Sequence, residues 1–257
     1  ILLLNELKKR AILPNNINYP LEIKDINEVV AFAQSHKDCF VKAPWSGSGK
    51  GVYRGYYPDT IDFRNWCSGV IKKQGSIICE PAYAKKMDFA LEFISNGSIV
   101  SFAGYSIFST DKHNSFGGSY VASESQLAAK LPDLTKMINA LEEILPSILT
   151  GYSGYFGIDM MLLENNTIHP CVELNLRNTM GVVAMVLGNR YLSNDSHGFF
   201  NITFHKPEEN ISRWIADYSN RFPLVINNGR ISSGFLSLCP VSKETRYSCT
   251  LLVEKTC

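Results

Sequence analysis

The sequence predicts an α+β fold, built mainly from antiparallel strand pairs and organised in two lobes that meet near Glu80. Three observations carry this expectation. Phe89 to Ile94 and Ile99 to Phe108 alternate around Asn96-Gly97, a strong hairpin signal. Tyr155 to Leu163 and Thr167 to Leu174 form a second hairpin pattern across Glu164-Asn165-Asn166. Finally, the 257 residues are 45% hydrophobic and 19% charged, enough to bury a substantial core. That balance excludes a disordered chain, a collagen-like chain and a coiled coil.

The elements follow in order. Residues 1–12 read as a helix that Pro14-Asn15-Asn16 breaks. Asp25 caps a helix running to about His36, with Val29, Val30, Phe32 and Ala33 on one face. Cys39 to Ala43 reads as a strand, a loop rich in Gly and Ser follows, and Val52 to Tyr56 is the next strand. Asp59 to Lys73 is a helix with Asp59 or Thr60 as its cap, and Ser76 to Glu80 is a strand. After the first hairpin, residues 109–123 are polar and Gly-rich and read as a mobile loop. Ala128 to Leu149 is a long helix, with Pro132 and Pro146 as boundary marks. Asn178 to Tyr191 and Pro207 to Asn220 are helices, and the remaining C-terminal segments are strands, the last being Thr250 to Val253.

Charge and cysteine usage narrow the function classes. Lys and Arg number 25 against 24 Asp and Glu, a net charge of +1. This lacks the basic excess of a dedicated nucleic-acid binder. No apolar run is long enough to span a membrane. The seven Cys form no C-x-x-C pair and several sit in apolar runs, so reduced, buried thiols in a cytoplasmic protein are the expectation. The opening Ile1-Leu2-Leu3-Leu4 has no basic segment before it and reads as the middle of an amphipathic helix. The chain is therefore expected to be a fragment of a longer protein.

Two groups of residues carry chemistry, and a third links them. The loop Trp45-Ser46-Gly47-Ser48-Gly49-Lys50-Gly51 is not a P-loop, because Pro44 and Gly51 stand where that motif needs Gly and Ser or Thr. Its free amides could wrap phosphate oxygens with Lys42 as the accompanying cation; a Gly/Ser hairpin turn with a solvated Lys explains it equally. Asp159 lies in the otherwise apolar strand Gly157-Ile158-Asp159-Met160-Met161. Glu173, Asn175 and Arg177 follow at i, i+2, i+4, pointing to one face of the next strand, with Val172, Leu174 and Leu176 on the other. The hairpin brings Asp159 and Glu173 together, and two carboxylates with an amide oxygen suit a hard cation such as Mg²⁺. Arg177 beside them can neutralise phosphate charge. Glu80-Pro81-Ala82-Tyr83 with Asp88 could present backbone groups to a base and a carboxylate to a ribose; a charged linker would look the same.

In this order, through nearly the whole chain, these residues resemble the ATP-grasp superfamily. The resemblance implies a first lobe at residues 1–83 and a second at 84–257, with ATP bound between them. It assigns Lys42, Ser46, Gly47, Ser48, Gly49 and Gly51 to the phosphates, and Glu80, Pro81, Tyr83, Asp88 and Val172 to the rest of the nucleotide. Asp159, Glu173 and Asn175 become ligands of Mg²⁺, with Mn²⁺ as the alternative ion. Lys42 and Arg177 become the catalytic cations. The implied activity is an ATP-dependent ligase that activates a substrate carboxylate as an acylphosphate for attack by an amine or similar nucleophile. The partners are then small molecules, with neither nucleic acid nor membrane among them. A nucleotide-binding module without ligase chemistry, or a kinase on the same fold, is the alternative. Members usually carry an N-terminal α/β domain and a further nucleotide-contacting Lys at the head of the helix that here begins at Ile1. Lys8 lies on the wrong part of that helix to replace it. Loop 109–123 is expected to cover the substrate. Within it His113 is either a base or an exposed loop residue, while His169 is expected to be structural.

Overall fold

The computed structural model describes residues 1–46, 51–58, 60–110, 116–206 and 208–256. The chain divides into two compact units. The first comprises Ile1–Lys86, Thr110–Phe116 and Leu163–His169; the second comprises Met87–Ser109, Gly117–Leu162 and Pro170–Cys257.

The first unit opens with helix α1 (Leu2–Lys9), which buries Leu3, Leu4 and Leu7 and ends before Ala11 at positive φ. Strand β1 (Leu21–Ile23) escaped the sequence reading because three residues after a proline carry no alternation. Helix α2 (Ile26–His36) starts at Asp25, whose carboxylate accepts from the backbone N–H groups of Asn27 and Glu28 at 2.8 and 3.2 Å. β2 (Cys39–Lys42), β3 (Val52–Arg54), α3 (Ile61–Gln74) and β4 (Ile77–Pro81) complete the unit. Thr60 caps α3 and Gly75, left-handed at φ 85°, ends it; Asp59, the other candidate cap, lies outside the described residues. The sheet order is β1-β4-β2-β3 with antiparallel partners. Its core packs Val29, Val30, Phe32 and Ala33 of α2 and Phe63 and Cys67 of α3 with Cys39, Val41, Ile77 and Cys79. The alternation leaves Phe40, Lys42, Ile78 and Glu80 on the other face.

The second unit is built on a nine-stranded sheet. β5 (Lys85–Asn96) and β6 (Val100–Thr110) form the expected hairpin, with Gly97 at φ 98° and the Asn96 side chain accepting from Ser98 and Ile99 N–H at 3.0 and 2.9 Å. β7 (Phe116–Val121) corrects the loop expectation for 109–123. Its Gly117-Gly118-Ser119 looks like a loop, but a Cβ at Gly118 would stand 2.9 Å from the Phe200 carbonyl of the neighbouring strand, so the glycine allows close strand approach. His113 lies outside the described residues. The expected 128–149 helix is α5 (Thr135–Ile148), which starts later than expected; a separate short helix, α4 (Glu124–Ala128), precedes it. Pro132 and Asp133 separate them, and the Asp133 carboxylate accepts from the Thr135 N–H at 3.0 Å. β8 (Ser153–Leu163) and β9 (Ile168–Asn175) form the second hairpin, turning through Asn166 at φ 62°. α6 (Met180–Val186) runs into one π-helical turn, Leu187–Tyr191. β10 (Ser196–Phe204), α7 (Ile211–Arg221), β11 (Val225–Asn227), β12 (Arg230–Ser237) and β13 (Tyr247–Lys255) complete the chain. The sheet order is β11-β12-β13-β10-β7-β6-β5-β8-β9. Phe89, Leu91 and Phe93 of β5 and Phe156, Ile158 and Met160 of β8 are fully buried, with Phe93 and Phe156 stacked at 5.5 Å.

Among the described residues no helix is long and apolar enough to cross a membrane. The six described cysteines are free. Cys39, Cys67 and Cys79 share the first core, and burial pushes their thiols up to about 11, 12 and 12, so they stay protonated. Cys171, Cys239 and Cys249 are only half-buried, so the expectation of buried thiols holds for the three of the first core.

Candidate functional site

In the second unit, adjacent strands β8 and β9 bring the acidic patch together. The Asn175 side-chain amide donates to Asp159 Oδ2 at 3.0 Å, and Arg177 Nη2 donates to Asn175 Oδ1 at 2.9 Å. Asp159, Asn175 and Arg177 therefore form one hydrogen-bonded chain. Burial, then the Glu173 charge, push the Asp159 carboxyl up to about 7; the Asn175 amide and Arg177 oppose this, and Asp88 adds to it. Glu173 is exposed, Asn175 buried, and Val172 half-buried. Among the described residues no three of His, Cys, Asp and Glu gather into a protein-only metal cage. Two carboxylates with one amide oxygen still fit Mg²⁺, which is held by one or two carboxylates and completes its shell with phosphate and water. A cation there would offset the Glu173 charge that adds to burial in raising Asp159.

In the first unit, Lys42 at the end of β2 forms an ion pair with Glu80 on β4. The register places Phe40 opposite Glu80 and Lys42 opposite Ile78, so Lys42 and Glu80 are diagonal neighbours on the face away from the thiol core. Tyr83 accepts from the Asn18 backbone N–H at 2.9 Å and stands edge-on to His169, with ring centres 5.3 Å apart. His169 is 3% exposed, and burial followed by the Lys42 charge lowers its pKa to about 4, so the imidazole is neutral. Pro81 ends β4 opposite Cys39. The loop closes at its base, where Ala43 N–H donates to the Gly51 carbonyl at 2.8 Å. A Cβ on Gly51 would overlap the Ser46 side chain, so this position requires glycine. Trp45 and Gln74 exchange two hydrogen bonds at 2.8 and 3.2 Å, tying the loop to α3. Gly47, Ser48 and Gly49 lie outside the described residues. Lys8 sits over the Tyr19 ring at 5.1 Å.

The sequence reading missed Glu92. It is 1% exposed on β5, and burial lifts its carboxyl to about 7. Its Oε2 accepts from the Thr179 hydroxyl at 2.9 Å, while Oε1 is buried without a hydrogen-bond partner. The signal was present: Phe-Ala-Leu-Glu-Phe-Ile holds one carboxylate in an apolar strand, the same pattern that singled out Asp159.

No family model matches this sequence, and no curated protein sequence matches it either. Solved structures do match its fold. Biotin carboxylase from Campylobacter jejuni, in complex with a nucleotide, aligns over 98% of this chain and 61% of its own at 12% identity, TM-score 0.66. The biotin carboxylase domain of Hydrogenobacter thermophilus 2-oxoglutarate carboxylase, with MgADP and bicarbonate, aligns over 98% and 60% at 13% identity, TM-score 0.60. Carboxyaminoimidazole ribonucleotide synthase from Aspergillus clavatus, with ATP, aligns over 98% and 67% at 13% identity, TM-score 0.60. The chain thus spans 60 to 67% of the length of these proteins. Because the likeness runs through almost every element and all three are ATP-grasp proteins, the α+β expectation holds, and this chain has the ATP-grasp fold.

Proposed function

We propose that this chain serves an ATP- and Mg²⁺-dependent ligase that activates a substrate carboxylate as an acylphosphate for an amine or similar nucleophile. The observation that carries the reading is the Asp159–Asn175–Arg177 hydrogen-bonded chain beside Glu173, on a fold shared with nucleotide-bound carboxylases and synthases. A protein that only held nucleotide would need no such arrangement of acid, amide and guanidinium. Asp159, Glu173 and Asn175 would hold Mg²⁺. When bound, the ion would neutralise phosphate charge.

The chain's own residues then take these roles. Lys42, with the Ser46 to Gly51 loop, neutralises and orients the nucleotide phosphates. Glu80, Pro81, Tyr83, Asp88 and Val172 contact the base and ribose. Arg177 stabilises charge on the γ-phosphoryl group as a carboxylate oxygen bonds to its phosphorus and the bond to the ADP oxygen breaks. The nucleophile next attacks the acyl carbon and phosphate leaves. The substrates are small molecules, and the free thiols of the first core support a reducing, cytoplasmic setting.

The test is phosphate release from ATP by the protein with a panel of amino acids and small carboxylates, for the parent chain, Glu173→Gln and Arg177→Ala. Both variants should release phosphate at least about 10-fold more slowly, while Arg177→Ala keeps its nucleotide affinity. Full activity of Glu173→Gln would remove the metal role. Nucleotide binding with no acceptor-stimulated release would leave a binding module.

A further inference from the structure

We infer that Glu92 is a positioning residue: through Thr179 it fixes the turn that carries Asn175 and Arg177. Every residue in the argument belongs to the second unit. Thr179 Oγ1 donates to Glu92 Oε2 at 2.9 Å and accepts from the Val182 N–H at 3.0 Å, so one hydroxyl both caps α6 and ties it to β5. The segment between β9 and that cap is short. Asn175 ends β9, Arg177 N–H donates to the Asn175 carbonyl at 2.9 Å, and Thr179 is two residues further on. Fixing Thr179 therefore fixes one end of the turn, and the Asn175–Asp159 bond fixes the other.

Burying a carboxyl on a central strand is destabilising unless partners meet it, and here the surroundings are shaped to admit it. A Cβ on Gly157 would stand 2.7 Å from Glu92 Oε2, and a Cβ on Gly181 would overlap Oε1 and crowd Ser106. Two glycines, one hydroxyl and one acid are thus mutually fitted under the turn. A structural core would be filled more stably by Leu with ordinary side chains around it.

The activity arm of the test rests on the ligase reading above; a second arm does not. Glu92→Leu removes the acceptor at similar volume, and Glu92→Gln retains an acceptor oxygen. In the full chain, Glu92→Leu should lower kcat for phosphate release by about 10-fold or more, with the KM for ATP within about 3-fold. Glu92→Gln should restore most of that rate. In an Arg177→Ala background, Glu92→Leu should cost less than about 2-fold, because the two changes act through one turn. Equal kcat in parent and Glu92→Leu, or fully additive losses in the double variant, would overturn the inference. The second arm reads the Asn175 side-chain amide resonances in nucleotide-free protein. Glu92→Leu should shift and broaden them, and Glu92→Gln should leave them near the parent positions. Unmoved resonances in Glu92→Leu defeat the positioning role even if the parent releases no phosphate, a result that would count against the ligase reading alone. If Glu92→Leu does not fold, Thr179→Val cuts the same bond from the other side and is read by the same two measurements.

Discussion

Burial raises the pKa of Glu92 and lowers that of His169, so the two act on stability in opposite directions as pH changes. Glu92 has a folded pKa of about 7, above its ordinary 4.5, so the folded chain holds a proton that the unfolded chain releases. Its contribution is complete below about pH 4.5 and is lost as pH rises through 7. Asp159, also at about 7, follows the same sign. His169, at about 4, contributes fully above pH 6.5 and loses that contribution as pH falls through 4. Urea unfolding of Glu92→Gln and the parent at pH 5 and pH 8 checks the sign. The variant should gain on the parent at the higher pH by up to about 3 kcal/mol; a gain only at pH 5 would contradict it. Lys42 gives a second residue-scale prediction. Because it pairs with a Glu80 side chain only 12% exposed, Lys42→Ala should cost stability, about 1–3 kcal/mol, as well as nucleotide affinity. Adding Glu80→Gln should recover the stability but not the affinity contributed by the lost cation, measured by unfolding and calorimetry.

At the scale of the element, helix α6 shows propensity and packing in conflict. Replacing a helical glycine with alanine ordinarily stabilises a helix by about 1 kcal/mol. At Gly181 the sign should reverse, because the added Cβ overlaps the Glu92 carboxyl and the Ser106 side chain, both buried. Gly181→Ala should therefore destabilise by about 1–3 kcal/mol, seen as a lower urea midpoint; a stabilised variant would mean that the Glu92 pocket relaxes freely. β7 teaches the same lesson. Local composition reads Gly117-Gly118-Ser119 as loop, but neighbours on both sides in the sheet supply hydrogen bonds that the sequence does not display. The late start of α5, by contrast, was legible in Pro132, although the 128–149 reading ran the helix across it.

For the molecule as a whole, an ATP-grasp fold with a built acidic patch should be stabilised by its ligand. Mg·ATP at about 100 times its dissociation constant should add about 2.7 kcal/mol to unfolding, raising Tm, and chelating the metal should remove part of the gain. A folded protein with no shift for Mg·ATP, ADP or a non-hydrolysable analogue would take away the nucleotide reading. The sequence alone determined the two hairpins, the cap at Asp25, a cap at Asp59 or Thr60, and the meeting of Asp159 with the Glu173–Arg177 segment. Each of these depends on period-two alternation, a turn dipeptide or a short polar side chain within a few residues, so the information is local. Only the tertiary structure decided that Lys42 faces Glu80, that His169 is buried against Tyr83, and that Glu92 lies beneath Thr179 between Gly157 and Gly181. Those contacts join residues from 38 to more than 80 positions apart. Their partners are set by strand order and helix docking, which no periodicity along the chain encodes.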